Sequence, residues 1–107
     1  MIDEFAALSP RPDIYISVLP PLYEDGIYSI NQTVINQDLP SLLTGNFLSE
    51  NMSDGKVKGS VDVFNQLGGA ELAHYEYFCD EQSCDACHPS DAGYTVLATA
   101  IYKAVFA

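Results

Sequence analysis

Asp85 and His88 are the side chains of this sequence best placed to do chemistry. They lie in the run Phe78 to Leu97, FCDEQSCDACHPSDAGYTVL. A histidine titrates close to neutrality and can take and return a proton at physiological pH. An aspartate three residues earlier can fold back and accept a hydrogen bond from one ring nitrogen, which leaves the other nitrogen free to deprotonate a nucleophile. Pro89 follows, and Ser90 and Asp91 open an apolar-periodic helix. The loop that carries the pair is therefore expected to be stiffly supported from below and open above. Such spacing is common in an acidic chain and takes its meaning from this context.

Cys79, Cys84 and Cys87 crowd the same loop with the spacing C-x4-C-x2-C. That run matches the plant-type 2Fe–2S proteins, whose cluster needs a fourth thiolate further along the chain. No cysteine follows Cys87. A zinc site with three cysteines and His88 as ligands is the next reading, but a ligand nitrogen cannot also be a free proton acceptor. One disulfide and one remaining thiol account for the three residues without any metal or cofactor. Cys79–Cys84 would staple the loop without using the residue beside His88, and Cys79–Cys87 is the other pairing.

The elements that must position this loop follow from the order of apolar runs. Asp3 to Leu8 predicts a short helix closed by Ser9-Pro10-Arg11-Pro12. The nearly continuous apolar run from Ile14 to Leu19 suits a strand covered on both faces, and Pro20 and Pro21 end it. Leu22 to Ile30, with a turn at Glu24-Asp25-Gly26, reads as the loop at the strand's C-terminal end, where open α/β sheets bind ligands. Asn31 to Asn51 has helical spacing at Val34, Ile35, Leu39, Leu42, Leu43 and Phe47, with a break or new first turn demanded by Pro40. Lys56 to Phe64 alternates as a second strand. Strand, helix and strand without a hairpin signal imply a parallel, right-handed crossover. Gln66 to Tyr77 reads as a loop with a turn of helix at Ala70 to Ala73. The final helix is capped by Ser90 and is expected to bury Tyr94, Leu97, Ala98, Ile101, Tyr102 and Val105.

Composition narrows the function classes. Four basic residues against fifteen acidic give a net charge of −11, which argues against nucleic acid and anionic membrane surfaces as partners. No apolar run approaches the length of a membrane span, and Met1-Ile2-Asp3-Glu4 does not begin a signal peptide. At 107 residues the chain is one domain at most. Two glycosylation sequons, at Asn31 and Asn51, lean with the cysteines toward an extracytoplasmic protein. His74 and Asp62 read as loop packing and structure rather than as a base or ligand. Tyr23 and Tyr28 read as packing, on an edge where a substrate would lie. None of the nine serines sits in a G-D-S or G-x-S-x-G setting.

The run from Asp85 to Tyr94, DACHPSDAGY, resembles the C-terminal block of the SGNH (GDSL-type) hydrolases, whose usual form is D-G-x-H-P-N-x-x-G-Y. Ala86 stands for the common Gly and Ser90 for the common Asn. The resemblance extends upstream through Leu19-Pro20-Pro21, Asn31-Gln32-Thr33 and Val61-Asp62-Val63-Phe64. It implies a flavodoxin-like three-layer α/β/α fold with parallel strands, of which residues 1–107 form the C-terminal portion of a single domain. It implies ester hydrolysis, such as carbohydrate deacetylation, with Asp85 and His88 as two members of a Ser-His-Asp triad. The family's G-D-S serine, oxyanion-hole Gly and G-x-N-D Asn blocks are not in this sequence and are expected N-terminal to Met1. The chain alone is then expected to be inactive and to self-associate through its uncovered sheet and apolar face. A non-catalytic remnant and a small Cys/His metal-binding module are the competing readings.

Overall fold

A computed structural model describes residues 1–82 and 84–107. Helix α1 (Ile2–Ala6) precedes strand β1 (Tyr15–Ser17), and a long crossover leads to strand β2 (Gly59–Val61). The two strands pair in parallel, with Tyr15 opposite Gly59, Ile16 opposite Ser60 and Ser17 opposite Val61. The amide of Lys58 also bonds the Ile14 carbonyl at 2.8 Å, at the upstream end of the ladder. The chain is thus a mixed helix-and-strand structure with a small parallel sheet among the described residues.

The strands are shorter than the apolar runs that predict them. Pro20 and Pro21 limit the first. The second stops because Asp62 caps a helical turn, α4 (Val63–Gln66), its Oδ1 accepting the Asn65 amide at 3.1 Å. Val63 continues the strand alternation in sequence but lies in that helix, where it is buried with Phe64.

Within the crossover, a 3-10 turn at Ile27–Ser29 is followed by a π-helical turn at Val34–Asp38 that runs into α2 (Leu39–Thr44). Pro40 lies in the first turn of α2, where a missing amide costs no intrahelical bond. The Leu39 amide just before it reaches back five residues to the Val34 carbonyl. The break expected at Pro40 is met by this widened turn, and the helix itself stops at Gly45 before α3 (Asn46–Ser53). Buried Asn36 clasps the chain after β1, its Oδ1 accepting the Leu22 amide at 2.7 Å and its Nδ2 donating to the Leu22 carbonyl at 2.8 Å.

Between α4 and the C-terminal helix, the expected helical turn at Ala70 to Ala73 is replaced by turns through Leu72 and a 3-10 turn at Tyr75–Tyr77. Gly68 and Gly69 adopt φ of 118° and 61°, conformations that a β-carbon makes costly. A side chain at Gly68 would also overlap the Tyr23 hydroxyl. That hydroxyl donates to the Leu67 carbonyl at 2.8 Å and accepts the His74 amide at 3.0 Å.

Helix α5 (Asp91–Val105) starts where predicted, with Ser90 Oγ accepting the Gly93 amide at 3.3 Å. Its buried face differs from the expected one. Val96, Leu97, Ala100 and Ala104 pack on the core of Val61, Val63, Leu67 and Phe78, while Tyr94, Ile101 and Tyr102 are exposed. The helix is apolar nearly all round, so periodicity alone does not choose a face. Close approach does: Gly93 is buried against the Tyr77 carbonyl, and only the small-residue side allows that contact. Gly93→Ala would drive its β-carbon into that oxygen and to 2.8 Å from Pro89 Cβ. We expect it to lose about 1–3 kcal/mol to overpacking, although alanine is the better helix former by about 1 kcal/mol. Urea denaturation measures the net effect, and a stabilised variant would show that the helix can move away from Tyr77.

Candidate functional site

The loop bearing the dyad is tied at both ends to the core. Phe78 is buried at its start, and the Phe78 carbonyl accepts the Asp85 amide at 3.1 Å. Cys79 and Cys84 form a disulfide. At the far end, the Ser90 amide donates to the Tyr77 carbonyl at 2.7 Å and Ser90 Oγ donates to the Glu76 carbonyl at 2.9 Å. The loop after β1 joins in through the Tyr23 amide, which bonds the Ala86 carbonyl at 3.1 Å.

Asp85 folds back on the residues that follow it. Its Oδ1 accepts the amides of Cys87 at 2.7 Å and His88 at 3.1 Å, a local side-chain turn. Its Oδ2 lies 3.0 Å from His88 Nδ1 and accepts the Tyr28 hydroxyl at 2.9 Å. The Cys87 amide foremost, then the His88 ring, the His88 amide and the Tyr28 hydroxyl hold the carboxyl far below its ordinary range. An ionised carboxylate can only accept, so Nδ1 of His88 carries the proton and a neutral ring presents a basic Nε2. Among the described residues Nε2 has no hydrogen-bond partner. The His88 side chain is 62% exposed and that of Asp85 33%. Asp85 therefore makes the fold-back contact with His88 Nδ1 that the spacing predicts, and Nε2 faces outward on an exposed side chain.

Tyr28 is a member of this cluster that sequence reasoning assigned to packing. Its ring meets the His88 ring edge-on, with centroids 5.7 Å apart and planes at 76°. The neighbouring carboxylate pushes its phenol above the ordinary range, by accepting its hydrogen bond and by charge. Tyr28 and Ser29 both adopt left-handed backbone, at φ of 50° and 61°, which costs of order 1 kcal/mol or more for each non-glycine residue. The placement of Tyr28 after β1 is the one signal available in sequence, because 57 residues separate it from Asp85.

The other candidates fall outside the cluster. His74 Nδ1 lies 3.0 Å from Glu76 Oε1 and its ring stacks near Tyr77, and Asp62 is a helix cap. Asn31 is an exposed cap whose Oδ1 accepts the Val34 amide at 3.1 Å. Asn51 lies within α3 and spends its Nδ2 on the Phe47 carbonyl at 2.7 Å, so Asn31 is the more available of the two sequon asparagines. With Cys79 and Cys84 bridged, the three-cysteine zinc reading loses two donors. No group of three metal-ligating side chains converges among the described residues. Cys87 is free and half-buried, its thiol pushed up by burial and then by the Asp85 charge.

The pairing predicts a thiol count. Denatured without reductant, the protein should offer one thiol to an alkylating reagent, at Cys87. After reduction it should offer three. Three reactive thiols without reductant, or stoichiometric zinc or iron in the purified protein, would overturn the pairing.

No helix among the described residues is long and apolar enough to cross a membrane. No family profile, no curated protein and no solved structure matches the chain.

Proposed function

We propose that this chain carries the base and orienter of a Ser-His-Asp esterase site of the SGNH hydrolase type. A segment outside these residues would supply the serine and the oxyanion donors and complete a flavodoxin-like three-layer fold. The observation that carries the reading is the Asp85 Oδ2 to His88 Nδ1 contact of 3.0 Å, with Nε2 open at the approach to α5. In the reaction His88 Nε2 would take the proton from the serine hydroxyl as it attacks the ester carbonyl, then return it to the departing alkoxide. Asp85 would hold the tautomer and stabilise the imidazolium. Water would repeat the sequence on the acyl-enzyme. Small esters, acylated carbohydrates among them, are the substrate class.

The two-strand parallel ladder and the outward-facing Tyr94, Ile101, Tyr102 and Phe106 support a larger sheet and helix layer beyond this chain. They also support self-association of the chain when isolated. The disulfide supports an oxidising, extracytoplasmic setting.

A serine-directed fluorophosphonate tests the reading. The 107-residue chain should remain unlabelled and should hydrolyse an aryl acetate no faster than free imidazole does. A protein that joins it to an upstream G-D-S segment should label at that serine. Labelling of a serine within the 107 residues, or no labelling of the joined protein, would overturn the proposal.

A further inference from the structure

Beside the dyad lies an apolar pocket that the proton-transfer chemistry does not use. Its volume is about 150 Å³, and it is lined by Leu19, the Pro20-Pro21 turn, Leu22, Ile30, Ile35 and Cys87. The only side-chain heteroatom in that lining is the Cys87 sulfur, whose thiol is held protonated and therefore neutral. Water placed there would find no side-chain oxygen or nitrogen to bind, and a water needs two or more polar partners to be stable in a cavity.

The walls are preformed. Two consecutive prolines fix their own φ angles, and Leu22 is held at both its amide and its carbonyl by buried Asn36. The walls are also continuous with the dyad. Cys87 immediately precedes His88, and Ile30 closely follows Tyr28, whose hydroxyl rests on Asp85. The recess and the dyad thus share the same two loops.

An enclosed apolar cavity of about this size in another protein takes up benzene, and this recess, which is open to solvent on one side, offers a similar volume. We propose that this pocket receives a short aliphatic chain, of about four to six carbons, carried by the ester on which His88 acts. The role in catalysis rests on the hydrolase reading, whereas the binding of the chain does not. Each methylene moved from water to an apolar site improves affinity about fourfold. Methyl hexanoate, with four more methylenes, should therefore bind about 250-fold more tightly than methyl acetate.

Cys87 provides the readout on the native 107-residue chain. Methyl hexanoate and pentyl acetate should each slow its alkylation by iodoacetamide in a saturable way, and whichever places its chain in the pocket should act at concentrations about 250-fold below those at which methyl acetate acts. Tighter protection by methyl hexanoate than by its isomer pentyl acetate assigns the pocket to the acyl side of the ester, and the reverse order assigns it to the alcohol side. Ile35→Trp, checked by its melting curve, should fill the pocket and remove the protection by either longer ester. Equal protection by methyl acetate and methyl hexanoate, or none by any ester, would overturn the pocket assignment on the wild-type chain, whatever the variant does. His88→Ala should leave the protection unchanged. Protection that persists while the joined protein fails to label would sink the hydrolase reading and leave the pocket standing, and labelling without protection would do the opposite.

Discussion

His88→Ala is expected to lower kcat for a small ester by about 10⁴-fold or more, in a protein that joins this chain to its proposed serine segment. The loss corresponds to about 5 kcal/mol of barrier. Nucleophile, base and oxyanion donors act as one unit, so removing the base strands a serine whose hydroxyl is a poor nucleophile at neutral pH. The substitution removes a largely exposed ring and should leave the melting temperature nearly unchanged. Asp85→Asn isolates the orienter. Asparagine can keep the Cys87 and His88 amide bonds through its oxygen, but it then turns an NH₂ group toward His88 Nδ1. The ring is driven to the tautomer with its proton on Nε2, where it cannot act as base, at a cost of about 10⁴-fold in a comparable triad. Turnover that survives His88→Ala would remove His88 from the reaction.

Phe78→Ala is expected to cost about 3–5 kcal/mol of stability. Phe78 is 1% exposed, belongs to the main apolar cluster and stacks on Tyr23 with ring centroids 4.5 Å apart. Small domains hold about 5–15 kcal/mol in all, so this one truncation removes a large part of the total. Its backbone also accepts the Asp85 amide, which makes it the point where the core holds the dyad loop. Urea denaturation gives the loss directly, and Phe78→Leu should retain most of the stability. A loss below about 1 kcal/mol would mean that the site collapses around the gap or that the cluster is not the core.

What could be read from the sequence separates by range. The Asp85–His88 contact was legible because three residues of loop decide it, and the Ser90 cap was legible for the same reason. The parallel crossover followed from the absence of a hairpin signal between Val18 and Val57. Val63 could not be read correctly, since its alternation fits a strand until Asp62 is seen to cap a helix. The buried face of α5 was ambiguous because Tyr94, Ile101 and Tyr102 offer as good a stripe as Val96, Ala100 and Ala104, and the contact of Gly93 with Tyr77 decides between them. The choice between Cys84 and Cys87 as partner of Cys79 was likewise left to backbone geometry. Tyr28 was placed on the edge where a substrate would lie but read as packing, because no local pattern links it to Asp85.

That distance along the chain orders the assembly of the site in time. The hydrogen bond from Tyr28 to Asp85 closes a loop of 57 residues, at an entropic cost of about 3–4 kcal/mol before any contact repays it. The parallel ladder of β1 and β2 demands a closure of similar length. Contacts so remote form late, and topologies built on them fold slowly. The Asp85–His88 pair needs only its own short loop and the docking of α5 on Phe78. The His88 ring is therefore expected to meet Asp85 early in folding, and Tyr28 to join them only when the crossover has settled against the C-terminal half. Tyr28→Phe would test that order by speeding unfolding without slowing folding.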